Sequence, residues 1–184
     1  MRLTPFEEDR LHVFLAAELA RTTIWIGDIQ WRIRNGIYGN PQPILRKLDS
    51  IECRDALITK QPDGSYVETE WPAAEFIVGN PPFLGAKMMR KAMGEDYVQA
   101  MRAPFEARLS DFTDLVCYWF DKAIRQIESK SSRRAGLVAT NSISGGTNRR
   151  VLDAISAADQ FIDVWPDEPW IIDGAAVRVA IICF

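Results

Sequence analysis

The stretch FIVGNPPFL, residues 76–84, runs from an apolar segment into an asparagine, two prolines and a phenylalanine. The first half, taken with Glu75, reads as a short, continuously apolar strand of the kind found when both faces of a parallel α/β sheet are covered. The prolines end it, because proline has no N–H to give the ladder and forces the residue before it into an extended backbone. In an open α/β sheet, ligands bind beyond the carboxyl ends of the strands. Asn80, Pro81, Pro82 and Phe83 therefore sit where chemistry is expected.

Working outward, the flanking segments alternate between strand and helix patterns. Residues 7–34 carry Leu11, Leu15, Leu19, Thr22, Ile26, Ile29 and Ile33 at steps of three and four, with Trp25 and Trp31 beside them, which predicts a long amphipathic helix. NGIYGNPQP (35–43) ends it in turns. SIECRDALI (50–58) reads as a short strand with a turn at Asp55, and QPDGSYVETEWP (61–72) as a polar connector. Residues 87–108 have weak helical character broken at Pro104. Ser110 is placed to cap the apolar helix DFTDLVCYWFDKAIRQIE (111–128). RRAGLVATNSI (133–143) is a second buried strand, Gly145 and Gly146 form a flexible loop, and TNRRVLDAISAA (147–158) is a helix with Thr147 as its cap. FIDVW (161–165) is a short strand, PDEPWIIDGA (166–175) a loop, and AVRVAIICF (176–184) a last strand. The alternation predicts a doubly wound α/β sheet with helices on both faces.

Composition bounds the partners. The chain has 184 residues, 47% hydrophobic and 26% charged, the balance of one soluble globular domain. A net charge of -3 gives no overall basic footprint for nucleic acid, so any DNA contact is local. Cys53, Cys117 and Cys183 form no CxxC pair and sit among apolar residues, which predicts buried reduced thiols and a cytoplasmic protein. No apolar run approaches membrane-spanning length, and the start MRLTPFEEDR lacks the layout of a signal peptide. His12, the single histidine, reads as a helix residue, which disfavours histidine-based metal sites and triads.

The NPPF turn has a definite chemistry. The side-chain oxygen of Asn80 and the carbonyl of Pro81 can both accept hydrogen bonds from one planar NH2 group, while Phe83 stacks on the ring that carries it. The exocyclic amine of adenine is such a group. Its lone pair is delocalised into the ring; acceptors gripping both hydrogens favour a pyramidal nitrogen with a freer lone pair, in line with an electrophilic methyl. A paired adenine hides this amine inside the duplex, so the base must be flipped out.

NPPF resembles the catalytic motif of S-adenosylmethionine-dependent N6-adenine DNA methyltransferases. From about Ala16 to Phe184 the chain is similar to the methylase region of single-chain type II restriction-modification enzymes. The segments AAELARTTIWIGDIQW, SIECRDALI, GNPPFLGAKMMR, DLVCYWFDKA, GLVATNSISGG, DEPW and DGAAVRVAIICF stand in family order. The resemblance implies that Asn80, Pro81, Pro82 and Phe83 form the target-amine pocket. It implies that Asp55 with Ala56 reads the adenine of the methyl donor S-adenosylmethionine, with Asn80 adjoining that site. Asp114 with LVCYWF would line the cofactor and base pocket, and TNSISGG would lie near the flipped base. Asp55 also suits a turn cap, and Asp114 suits a first helical turn. Lys87, Arg90, Lys91, Arg149 and Arg150 fit either DNA phosphates or solvated helix faces.

Against the family pattern, no glycine-rich strand-to-helix loop precedes these segments, residues 1–13 read as divergent, and no target recognition domain follows. The sequence thus reads as truncated at both ends, with 14–184 a partial catalytic domain. In family topology the missing strands lie between the strand before Asp55 and the strand before Asn80, which leaves open edges for a second polypeptide. Two other readings stand beside adenine methylation in double-stranded DNA: a non-catalytic remnant or subunit, and methylation of a glutamine side chain. The latter usually pairs with tyrosine where this chain has Phe83. A cytosine-C5 mechanism lacks its Pro-Cys pair.

Overall fold

The computed structural model describes residues 5–38, 51–158, 160–172 and 175–184. The chain divides into two compact units, Met1–Arg54 and Asp55–Phe184.

In the first unit, helix α1 (Pro5–Arg34) covers the predicted amphipathic segment. It ends at Gly36, whose φ of 70° suits a residue without Cβ, while the Ile37 N–H closes the turn on the Arg32 carbonyl at 2.9 Å. Leu19, Ile26, Ile29 and Ile33 of the stripe are exposed. Residues 51–53 form no strand, contrary to the reading of SIECRDALI; the rest of that turn-rich approach, 39–50, lies outside the described residues. Cys53 is exposed rather than buried: the segment 51–53 that carries it joins neither sheet of the described residues.

The second unit holds a hairpin and a four-stranded mixed sheet. Strands β1 (Ile58–Lys60) and β2 (Tyr66–Glu68) pair antiparallel, with β2 and the turn lying where the sequence suggests a polar connector. The local signal is Asp63-Gly64: Gly64 takes φ 88°, and the Asp63 carboxylate accepts the Ser65 N–H at 2.9 Å. In the larger sheet the order is β3 (Phe76–Gly79), β4 (Arg134–Thr140), β6 (Ala175–Cys183), β5 (Asp163–Ile172). β3 and β4 are parallel, and the other two pairs are antiparallel. The expected loop 166–175 is largely strand. β5 runs through it with an irregularity between Trp165 and Glu168, which accommodates Pro166 on an edge strand.

Between β3 and β4 lie α2 (Ala86–Met93), α3 (Glu95–Arg102) and α4 (Val116–Glu128). Helix α5 (Arg149–Ala157) follows β4. Period-two alternation puts Ala135, Leu137 and Ala139 of β4 in the core, against the buried face of α4. Phe120 of α4 stacks on Phe184 with ring centroids 5.9 Å apart, and Tyr118 meets Phe105 edge-on at 5.0 Å. Each fully buried side chain of this size contributes about 1.5–3 kcal/mol. β3 is an edge strand, and Val78 on its other face is 86% exposed, so both-face burial of this strand is not observed among the described residues.

A buried ionic knot ties the hairpin to α4. Lys122, 4% exposed, donates to Glu68 Oε1 at 3.0 Å and to the Thr69 carbonyl at 2.5 Å, and lies over the Trp71 ring. Arg108 donates to Glu68 Oε2 at 2.6 Å and to Asp121 at 2.8 Å. Burial pushes the Glu68 carboxyl up, but the bonds from Lys122 and Arg108 outweigh it and hold the group below its ordinary range. For Asp121 burial wins over Arg108, and the carboxyl is raised.

Candidate active site

Parallel pairing of β3 with β4 brings Asn80 and the Thr140–Ser144 loop to the carboxyl ends of neighbouring strands. Asn80 is exposed, and its carboxamide makes no hydrogen bond with another described residue. Pro81 is buried and Pro82 exposed; Phe83 is half-buried and packs, with Leu84 and Ala86, against the core. The turn is therefore anchored through its apolar members, while its one amide side chain bonds none of the described residues.

Asp114 fixes the segment leaving the turn. Its Oδ1 accepts the Ala86 N–H at 2.9 Å, and the N–H of its neighbour Leu115 bonds the Leu84 carbonyl at 2.9 Å. Its Oδ2 accepts from the Ser142 hydroxyl at 2.9 Å and from Asn148 Nδ2 at 2.7 Å. The Asp114 N–H returns a bond to Asn148 Oδ1 at 2.8 Å, and Asn148 Nδ2 also donates to the Ser142 carbonyl at 3.2 Å. Asn148 is buried and every polar atom of its side chain is used. Beneath it, burial and then the Asp114 charge push the Cys117 thiol up to about 12, so it stays protonated and inert.

These bonds explain two departures from expectation. Ser110 does not cap α4, which starts at Val116; its hydroxyl accepts the Phe112 N–H in a local turn instead. Thr147 does not cap α5 either, because its hydroxyl donates to the Phe112 carbonyl at 2.9 Å. Both hydroxyls serve the loops that converge on Asp114. On the far side, Asn141 donates to Asp167 Oδ1 at 2.8 Å, and Arg178 holds Asp167 from across the β5–β6 pair.

Asp55 and Ala56 form a separate pinned turn. Asp55 Oδ1 accepts the N–H groups of Leu57 (2.8 Å) and Ile58 (3.2 Å), and the Tyr97 hydroxyl of α3 donates to Oδ2 at 2.7 Å. Burial, and then this bond, push the Tyr97 phenol up, which keeps it a donor. The Trp71 indole holds the Ala56 carbonyl at 2.8 Å. Lys87, Lys91 and Arg150 are exposed, whereas Arg90 pairs with Glu95 and Arg149 with Asp153. Sequence reasoning misses Tyr97 and Asn148: nothing in the pattern EDYVQAMR or TNRR marks which polar side chain turns inward. Ser142 does fall within TNSISGG, a segment that the family resemblance marks.

Residues 2–166 match the family model of the MmeI DNA-methyltransferase domain. The chain belongs to this family. Among solved structures, that of the Type IIL restriction-modification enzyme MmeI in complex with DNA is 26% identical over 59% of this chain, with a TM-score of 0.46. This chain covers 15% of that MmeI chain. No curated protein matches it. Among the described residues of this MmeI-type domain, no helix is long and apolar enough to cross a membrane, and no cluster of three or more His, Cys, Asp or Glu forms a metal site.

Proposed function

We propose that the chain is the partial catalytic domain, residues 14–184, of a cytoplasmic restriction-modification methyltransferase that modifies the N6 amine of adenine in double-stranded DNA. The observation that carries this reading is Asn80: an exposed carboxamide at the carboxyl end of β3 that bonds none of the described residues, followed by a loop fixed on Asp114. A free acceptor on a fixed frame is what differential binding of a developing charge requires. Asn80 Oδ1 and the Pro81 carbonyl accept the two amine hydrogens, and Phe83 provides the ring face for a base flipped from the duplex.

The donor set also fits S-adenosylmethionine, which when bound supplies an electrophilic methyl group. Asp55, a carboxylate held in a tight turn and exposed to solvent, is the acceptor that the donor's adenine amine needs, with Ala56 alongside and Asn80 adjoining. Asp114, also assigned to this side by resemblance, contributes by shaping the wall. Asp55 and Asp114 each accept three protein hydrogen bonds, but Asp55 is exposed to solvent while Asp114 is half-buried between two loops, so Asp55 is the carboxylate within reach of a bound donor.

The test is transfer of labelled methyl groups from S-adenosylmethionine to duplex DNA, read as N6-methyladenine after digestion, with Asn80→Ala as control. Label in DNA that vanishes in Asn80→Ala supports the reading. Label in a glutamine-containing peptide and none in DNA overturns it. A second polypeptide along β3 is favoured by one observation, the edge position of that strand with Val78 exposed. A protein that neither binds the methyl donor nor transfers methyl would be the non-catalytic subunit of such a pair.

A further inference from the structure

We infer that Asp114, together with Asn148, is a positioning pair that sets the amine pocket by locking the loop after Asn80 to the loop after β4; this rests on the methyltransferase reading above. The Ala86 N–H on Asp114 Oδ1 fixes the exit of the NPPF turn. The Ser142 hydroxyl and Asn148 amide on Oδ2 fix the loop that ends β4. One carboxylate thus bridges two loops that carry different parts of the site. A helix cap needs only bonds to its own helix, but the Asp114 side chain makes its bonds to residues 28 and 34 positions away.

The donor pattern is directional. Asn148 Oδ1 is committed to a backbone N–H, so its Nδ2 must face an acceptor. Asp114→Asn puts an NH2 against that NH2, or turns its NH2 toward the Ala86 N–H; either way one contact becomes donor against donor. Exchanging the two, Asp114→Asn with Asn148→Asp, restores the bonds to Ala86 N, Asp114 N and between the side chains. The Asn148 contact to the Ser142 carbonyl becomes acceptor against acceptor, so recovery is partial. Ser142 Oγ can accept from the new amide, because a hydroxyl is both donor and acceptor.

The experiment compares the unaltered chain, D114N, N148D and D114N/N148D. It measures methyl transfer to adenine in duplex DNA at saturating donor, the Kd for S-adenosylmethionine, and amide hydrogen exchange over 80–86 and 141–148. We expect each single variant to lower the saturated transfer rate about 10- to 100-fold with donor Kd within about twofold, the scale of a misplaced supporting contact. The exchange variant should recover at least tenfold of that loss. Donor Kd raised tenfold at an unchanged saturated rate would make Asp114 a donor ligand and overturn the inference, as would failure of the folded double variant to recover. If the unaltered chain methylates no adenine, the functional reading has failed, and amide exchange decides this one. D114N must then speed exchange in both loops and the double variant must slow it again; unchanged exchange overturns the positioning role.

Discussion

Two carboxylate networks in the second unit use the same side-chain chemistry for different ends. Glu68 sits between two cations, Lys122 and Arg108, in a knot that fastens the β1–β2 hairpin to α4. Asp114 sits among neutral donors, a backbone N–H, a hydroxyl and an amide, and fastens loops rather than elements. A buried cation without its partner is expensive, so the knot governs whether the domain holds together. Hydrogen bonds to a charged group each contribute about 1.5–3 kcal/mol, so the Asp114 network adds stability, but because its bonds join loops rather than elements its first effect is on where those loops lie.

The sharpest way to break this contrast is Lys122→Ala. Removing the cation leaves Glu68 short of a partner, and we expect about 3–5 kcal/mol of lost stability in urea unfolding, with the site loops affected only through the fold. An unchanged midpoint would show that the knot is no anchor. Asn80→Ala should act in the opposite direction: about 100- to 1,000-fold slower methyl transfer, as for loss of one preorganised partner of the reacting group, with the urea midpoint unmoved. Stability that falls as much as activity would place Asn80 in the frame rather than in the pocket.

Glu68→Gln sharpens the comparison through pH. The Glu68 carboxyl titrates below its ordinary value of 4.5 in the folded state, so its charged form is the one folding favours. Its contribution is fully present above that ordinary value and is lost as pH falls through the lower folded value. The stability gap between the natural chain and Glu68→Gln should therefore be flat from pH 7 to about 5 and close below about 4.5. A gap that widens on acidification would reverse the assignment. The smallest effect belongs to Arg133→Ala, whose pair with Glu75 is exposed on both sides. Exposed pairs contribute about 0.2–1 kcal/mol, so the melting temperature should barely move, and less in high salt.

Much of the molecule is legible in the residues because the signals are local. Helix α1 follows from apolar spacing, β3 and β4 from short apolar runs, and the position of Asn80 from the prolines that stop β3. Local patterns mislead where tertiary partners outweigh local preference. The hairpin at Asp63-Gly64 hides in a polar segment because little of β2 is buried; Ile58 of β1 reaches the core, and the Glu68 carboxylate and Thr69 carbonyl are held by Lys122 of α4. Ser110 and Thr147 have the composition of caps but not the role, because both hydroxyls bond loop backbone, a choice made by neighbours that no helix pattern reveals.

Taken alone, the sequence determined the class of sheet, the turn after β3 and the resemblance that names its family, since each is read from short runs of neighbouring residues and the order in which those runs follow. Tertiary structure decided which polar groups are spent among the described residues. Asp114 is committed to three partners and Asn80 to none of the described residues, and no periodicity distinguishes them. The physical reason is that hydrogen-bond satisfaction is settled by whichever segments meet in space, and at the ends of β3 and β4 those segments lie 28 to 34 residues apart.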